Sequence, residues 1–382
     1  MIKKILKNKF FILFASFVII VITARFNPIF TLDDRIVALA VGIEENTSGY
    51  QVILESIKPS KQIGEVERFV GVGLSVERAI NDIENKSNKK VSFEKTEVVF
   101  LDRKLLDKCN LDFLGSDALK RVPEVAVTVV TDSPKAVILG KIGYNLHSSH
   151  EIGRFIRKNK QKLDVLEVSF KDFGRDYLSY LGCVTLPYIE YSNTDKDMVE
   201  GNKTEGNASS EKDKNNIIVF CNKAVVYSKK SAVDLDYQNF LSYCLLHSNV
   251  ENNEGNILIN QGNNTTNICC NKIRVNKKLS AKNNIYLAEY EVYIDYFDNE
   301  TYIMQSNGDL QKIKIDQTKC KDVENLLKQM LENFINNIVE NNVDALHLYD
   351  EFITISDDIT EDFYTRFNYS VAVKLSKSKT RG

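Results

Sequence analysis

Two short apolar runs, at 35–43 and 50–58, begin the regular pattern of this chain. RIVALAVGI (35–43) is nearly continuous, and YQVILESIK (50–58) alternates through Tyr50, Val52 and Leu54 before Ile57. The polar EENTSG between them is a turn signal, so the three stretches predict a β-hairpin. Phe69–Leu74, with Gly71 and Gly73, predicts a weak strand. From Ser75 the period changes. Val76, Ala79, Ile80 and Ile83 recur at helical spacing, although Arg78 stands where a full capping box needs an acid or amide. NKSNKK (85–90) ends that helix. Val91–Leu101 predicts a strand centred on residues 97–101, and 103–119 a broken helix. Pro123–Thr131 alternates and is rich in valine, which predicts a strand. Pro134–Leu139 starts another helix. Residues 145–182 are charged and helical in places, with Ile152, Phe155 and Ile156 on one face, then Leu166, Phe170, Phe173, Tyr177 and Leu178. Pro187–Ile189 leads out of this region.

SNTDKDMVEGNKTEGNASSEKDKNN (192–216) breaks the pattern. It holds no aromatic residue and almost nothing apolar, so burial cannot offset the entropy of ordering it. It reads as a disordered linker or a long loop. Beyond it, Ile217–Phe220 and Lys223–Tyr227 predict two strands around a tight turn, Leu235–Leu246 a helix, Asn252–Thr266 an Asn/Gly-rich loop and Lys272–Leu279 a strand. In Ile285–Phe297, Ala288, Tyr290, Val292, Ile294 and Tyr296 face one way and Glu289, Glu291, Tyr293 and Asp295 the other. Asn307-Gly308 predicts a hairpin turn between Tyr302–Gln305 and Leu310–Ile315. Residues 322–341 form a helix with Val323, Leu326, Leu327, Met330, Phe334 and Ile338 on one stripe, and Phe367–Leu375 closes the chain as an alternating strand. Strands, helix, strand predicts an α+β fold with largely antiparallel sheets and packed helices in two or three mixed domains, not the βαβ alternation of a nucleotide-binding fold.

One stretch differs in kind. Phe10–Ala24 (FFILFASFVIIVITA) carries no charge, follows Lys3, Lys4, Lys7 and Lys9, and ends at Arg25. As a helix it spans about 22 Å against roughly 30 Å of bilayer hydrocarbon. Its small-residue exit, Ile22-Thr23-Ala24, places a bulky Ile where signal peptidase prefers a small residue. Phe26, Ile29 and Phe30 resume the apolar character while Lys9 and Arg25 snorkel. The reading is an uncleaved N-terminal membrane helix, with the lysines holding the N-terminus on the cytoplasmic side and the body on the outer face. A buried core helix is disfavoured because only Ser16 and Thr23 interrupt the apolar surface.

Composition adds exclusions. A net charge of −2 and the lack of a basic stripe argue against a nucleic-acid partner. Seven scattered cysteines, odd in number and without a CxxC, do not form a disulfide framework and read as small buried apolar residues. Vicinal Cys269-Cys270 reads as the most exposed pair, in a polar loop.

The search for chemistry yields little. His147 and His150, followed by Glu151, suit a metal by residue type, but no third ligand is suggested and a polar loop before a helix accounts for them. There is no GxSxG, P-loop or HExxH. Gly71-Val72-Gly73 lacks the last glycine of a dinucleotide motif. Glu289 and Glu291 on one strand face read as a solvated surface, and Tyr286, Tyr290, Tyr293, Tyr296 and Phe297 as core and cross-strand packing, with a protein contact surface as the minority reading. No catalytic, cofactor-binding or metal-ligating residue is assigned.

The order of these elements resembles the C-subunit family of spore germination proteins, Ger(x)C. IVALAVGI (36–43) with YQVILESIKP (50–59) is similar to that family's opening hairpin. GLSVERAI (73–80) and VSFEKTEVVFLDRKL (91–105) are similar to its helix and strand, and RVPEVAVTVVTDSPKAVIL (121–139) to the segment after them. IVFCNKAVV (218–226), the helix at 323–339, Val343-Asp344-Ala345-Leu346 and the strand Phe367–Leu375 follow its later pattern. Departures are Arg25 where relatives carry a lipidated cysteine, Lys95 where they carry a histidine, and a missing glycine near Ile217. The resemblance implies a non-enzymatic subunit on the outer face of a membrane. It implies two integral-membrane partner subunits in a nutrient-sensing germination receptor, and no cofactor. The expected organisation is an anchor at 1–30, Ger(x)C-like domains at 31–191 and 217–382, and the linker between. With no lipidated cysteine, the helix itself is the expected anchor. The alternative is an extracytoplasmic binding protein for a small ligand or cell-wall material, with a pocket among the Tyr286–Phe297 aromatics. An enzyme would require His147, His150 and a carboxylate to converge.

Overall fold

The computed structural model describes residues 34–58, 65–108, 111–142, 148–179, 181–193, 216–229, 231–247, 255–261, 264–297, 302–304, 310–312, 317–356 and 363–378, with Ser16 alone ahead of them. The expected membrane helix, residues 194–215 of the expected linker, His147, Cys109 and the Asn307-Gly308 turn lie outside the described residues.

The opening hairpin forms as its pattern dictates. Strand β1 (Arg35–Asn46) pairs antiparallel with β2 (Gly49–Ile57), with a bulge between Ala38 and Ala40, and β2 pairs with β3 (Val66–Gly73). Helix α1 (Val76–Ser87) buries Val76, Ala79, Ile80 and Ile83, the four stripe residues. The Ser75 hydroxyl accepts from the Arg78 amide at 3.3 Å, which supplies the N-cap without a capping box. Asn88, at φ 55°, ends the helix in the left-handed conformation.

The strand expected over 91–101 is two strands. β4 (Lys90–Ser92) and β5 (Val98–Asp102) both run parallel to β1. A turn from Phe93 to Thr96 separates them, and the Thr96 hydroxyl donates to the Ala38 carbonyl at 3.1 Å, so the chain steps around the β1 bulge. Helix α2 (Arg103–Asp107) and two 3-10 turns realise the broken helix. Strand β6 (Val127–Thr131) is shorter than expected, because the Ala126 amide closes a turn on the Pro123 carbonyl. Then come α3 (Pro134–Leu139), β7 (Lys141–Ile142), α4 (His150–Asn159), α5 (Phe170–Leu178), β8 (Val184–Asn193), β9 (Asn216–Tyr227) and β10 (Ala232–Leu235).

These strands make one sheet ordered β10-β9-β8-β6-β5-β1-β2-β3, with β4 beside β1 and β7 beside β9. Its flanks are antiparallel as expected, but its centre, β1-β5-β6-β8, is parallel. The helical crossovers between these strands return the chain to the same end of the sheet, which imposes parallel pairing. Helices cover both faces: Ile80 and Phe173 join the core on one side, Ile138, Ile152 and Ile156 the core on the other. Phe155, expected on that buried face, is exposed, as is Leu178.

The second sheet is ordered β15-β14-β12-β13-β16, with β11 beside β12. It follows α6 (Tyr237–His247) and comprises β11 (Gly255–Gln261), β12 (Asn264–Lys282), β13 (Ile285–Tyr296), β14 (Tyr302–Met304), β15 (Leu310–Lys312) and β16 (Phe367–Lys377), with α7 (Gln317–Glu340) and α8 (Leu348–Ile353) before the last strand. The stretch expected as an Asn/Gly-rich loop carries β11 and the start of β12. Ile257, Ile259 and Ile268 enter the core, and their alternation outweighs the turn-forming composition. Cys270 is therefore in the core rather than in a polar loop, and Cys183, Cys244, Cys269, Cys270 and Cys320 are free thiols. Asn283 and Asn284, at φ 53° and 58°, make the two-residue turn between β12 and β13. Strand β13 buries the expected face plus Tyr286.

The region after the expected linker belongs to both halves. The two strands expected over 217–227 are the single strand β9, which pairs antiparallel with β8 from Asn193↔Ile217 to Val184↔Tyr227. The expected start of a separate domain at 217 therefore falls inside the first sheet. Val225 and Tyr227 enter the first core; Ala224 and Val226, with Cys183, enter the second. The β8–β9 pair is a shared wall.

Candidate functional site

The side chains singled out in the sequence go to structural work. His150 meets a carboxylate, but it is Glu55, which is 0% exposed on β2. Glu55 accepts from the Ser149 amide at 3.2 Å, the His150 amide at 3.1 Å and His150 Nδ1 at 2.9 Å, and Arg68 lies 3.6 Å away. It thus caps α4 from another element. Ser148 Oγ also lies 2.9 Å from His150 Nδ1. A proton relay needs its hydroxyl and its carboxylate on opposite ring nitrogens, and here both share one. Burial raises the Glu55 pKa, but the bonds from His150 and Ser149 more than offset this and hold it below the usual carboxylate range.

Gly71 and Gly73 are close-approach residues under α1. A Cβ on Gly71 would stand 2.1 Å from the Ala79 carbonyl oxygen, and one on Gly73 2.5 Å from the Ala79 nitrogen. Glu289 lies 3.8 Å from Lys278, and Glu291 accepts from the Tyr293 hydroxyl at 3.0 Å, on the open face of β13. Tyr286, Tyr290 and Tyr296 are buried in the second core, and none of them is among the residues that line the cleft described below. No group of three or more His, Cys, Asp and Glu among the described residues is placed to hold a metal.

The candidate site lies elsewhere, where the halves meet. A cleft of about 360 Å³ is lined by residues of the segment before α5, by α5, by β8, by α6 and by the turn before α8. Each wall is fixed locally. Ser169 caps α5: its hydroxyl accepts from the Asp172 amide at 3.0 Å and donates to the Asp172 carboxylate at 2.7 Å. Phe173 pins the helix to the core, so Asp172, Arg175 and Asp176, at helical spacing, face the cleft. Arg175 binds both acids, each at 2.9 Å. On β8, Val184 and Leu186 enter the first core, and Thr185 points the other way. On α6, Tyr243 and His247 are four residues apart and their rings stack at 4.9 Å and 13°.

His347 completes the wall. It precedes α8 at φ 53°, an unusual conformation for a residue with a side chain. Asp344, 2% exposed, holds this turn by accepting from the Leu348 amide at 2.8 Å, the Tyr349 amide at 2.9 Å and the Tyr364 hydroxyl at 2.7 Å. Its own amide reaches Cys183 Sγ at 3.2 Å, which ties the turn to the base of β8. His347 Nε2 then lies 3.7 Å from Asp176, and its ring 6.0 Å from that of His247. Desolvation by the surrounding protein, and then the charges of His347, Lys277 and Arg175, push the His247 pKa down to about 4, although the residue as a whole is exposed at the end of α6.

No motif in the sequence marks this cleft. Its residues come from positions 166 to 350, and topology alone assembles them. The one signal was scarcity: two of the four histidines in the chain meet here.

Among known families, residues 31–191 match the spore germination protein N-terminal domain. The stretches at 36–59, 73–105 and 121–139 that carry the sequence resemblance fall inside this span. No curated protein matches the chain. Among solved structures, the crystal structure of the GerBC protein is similar at a TM-score of 0.49 and 11% identity, over 88% of this chain and 96% of that chain.

Proposed function

We propose, from the match of residues 31–191 to the spore germination protein N-terminal domain, that this chain is a Ger(x)C-type protein and the C-subunit of a germinant receptor. It works by contact with two integral-membrane subunits and catalyses no reaction. The family match carries the reading. Phe10–Ala24 supports the location: an apolar helix behind four lysines holds the body on the outer face of the membrane, where relatives use a lipid instead. Among the described residues no helix is long and apolar enough to cross a membrane, so the anchor rests on this stretch alone. A mature N-terminus beginning after Ala24 would contradict it.

The test is germination. Spores lacking the chain should lose their response to at least one nutrient germinant and regain it with the full chain. An unchanged response to every nutrient that triggers the parent spores would count against the receptor reading.

A further inference from the structure

We infer that the body rests on the membrane by the edge of the first sheet at which β1 begins, with anionic lipid headgroups against the cations of that edge. The inference deepens the proposed function, because it rests on Phe10–Ala24 as an uncleaved anchor. Arg35, the first residue of β1, comes ten residues after Arg25 at the end of that stretch. Fully extended, this tether reaches at most about 36 Å. β1 then runs 12 residues away from its start, so its far end at Asn46 stands about 36 Å beyond Arg35. The tether favours the near edge, and the surface of that edge decides whether it docks.

Several elements meet there. Ser56, one residue before the end of β2, pairs with Ala38, and β4 pairs with β1 from Arg35↔Lys90. β5 and β6 also start at this edge, because the Glu97 amide donates to the Leu39 carbonyl and the Val127 amide to the Glu97 carbonyl. Three exposed apolar side chains gather on it. Ile57 ends β2 at 53% exposure, and Val125 stands at 67% in the turn before β6. Phe155 is exposed on α4, two residues before Arg157, whose guanidinium donates to the Val125 carbonyl at 3.3 Å. Exposed apolar residues scattered singly are ordinary. Apolar residues set among cations at the tethered edge match the boundary between headgroups and acyl chains.

The charges agree. Arg35, Lys89, Lys90, Lys95, Arg154 and Lys158 lie along this edge. Lys90 is committed to Glu84 at 2.6 Å, and Arg154, with Arg157, to Glu97. The ammonium groups of Lys89, Lys95 and Lys158 make no ion pair among the described residues, and they outnumber the remaining acids, Asp34 and Glu94. The far edge has no such excess. Glu44, Glu45, Asp102 and Asp132, at the ends of β1, β5 and β6, balance Arg103, Lys104, Lys108 and Lys135 there. An anionic bilayer attracts exposed Lys and Arg within a Debye length, so it draws down the near edge in preference.

The chain has no tryptophan, so one substitution gives the full chain a single probe. Val125→Trp marks the near edge. Leu74→Trp marks the far edge, at a site 69% exposed beside Gly49 in the β1–β2 turn. Each variant is reconstituted through its anchor into phosphatidylglycerol–phosphatidylcholine vesicles that carry a lipid with a nitroxide on its headgroup. Val125→Trp should lose at least half its fluorescence and Leu74→Trp less than a tenth. Omitting phosphatidylglycerol should cut the Val125→Trp quenching at least twofold. Adding Lys95→Glu and Lys158→Glu together should do the same with an unchanged unfolding midpoint. Equal quenching at both sites, or quenching indifferent to phosphatidylglycerol and to the charge reversals, would overturn the inference. An unquenched Val125→Trp would overturn it too and leave the edge to a protein partner. Flotation separates this from the anchor. A chain that floats with the vesicles after a carbonate wash yet leaves Val125→Trp unquenched refutes the docking alone, whereas one that does not float refutes the anchor and the docking with it.

Discussion

Replacing Glu55 with alanine should be among the most damaging single changes in the first half of the chain. The carboxylate is 0% exposed and accepts three hydrogen bonds from Ser149 and His150, with Arg68 beside it. Truncation leaves two amides at the start of α4 without an acceptor and a partly buried guanidinium without its counter-ion. Removing one partner of a buried ion pair costs about 3–5 kcal/mol. Glu55→Gln keeps the volume and one acceptor but loses the charge, and should cost about 1.5–3 kcal/mol, the worth of hydrogen bonds to a charged group. Urea unfolding measures the totals, and hydrogen exchange at the Ser149 and His150 amides reports the cap directly, since both should lose protection in the alanine variant. The pH dependence has a definite sign. A carboxylate held below its ordinary range stabilises the fold above the unfolded-state value near 4.5, and that stability is lost as pH falls through the folded value. Glu55→Gln should remove that part of the acid sensitivity. An alanine variant within about 1 kcal/mol of the parent, with both amides still protected, would refute the assigned cap.

Further outcomes follow from other parts of the molecule. His347→Gly removes an imidazole at φ 53° and relieves a backbone cost of about 1–2 kcal/mol; stability should hold, and the His247 pKa, read by NMR from near 4, should rise because one neighbouring positive charge is gone. Gly71→Ala places a methyl 2.1 Å from the Ala79 carbonyl oxygen and should cost about 1–3 kcal/mol by chemical denaturation, as α1 is pushed off the sheet. Replacing residues 194–215 with an Asn-Gly turn should leave the fold intact and raise stability by up to about 2 kcal/mol, because Asn193 and Ile217 are already paired and a shorter loop costs less entropy to close. A chain that no longer folds after this replacement would refute the β8–β9 pairing.

The helical stripes were legible because their period is set by the backbone. Val76, Ala79, Ile80 and Ile83 on α1, and Val323, Leu327, Met330, Phe334 and Ile338 on α7, are buried as their spacing indicates. The alternation in β13 was legible for the same reason. Composition misled where it was taken over period: the asparagines of 252–266 concealed Ile257 and Ile259, which alternate into the core. The low-complexity stretch after β8 read as a boundary between domains, yet its ends are neighbours in one sheet. Strand pairing across 22 residues leaves no local trace in either flank. The parallel centre of the first sheet was also illegible, because the direction of pairing is decided by crossovers and not by the strands themselves. The cleft was the least visible feature. Asp176, His247 and His347 are each unremarkable in sequence and meet only through the shared β8–β9 wall and the Asp344 turn.

The most direct test of the account is what this chain holds onto in spores. The full chain, tagged at its C-terminus, is purified from spore membranes in mild detergent, and the recovered proteins are identified by mass spectrometry. The account predicts that the chain is recovered in the membrane fraction with its N-terminal helix uncleaved, together with two multi-pass membrane proteins in comparable amounts. Recovery without any multi-pass partner, or release into the soluble fraction, would contradict it.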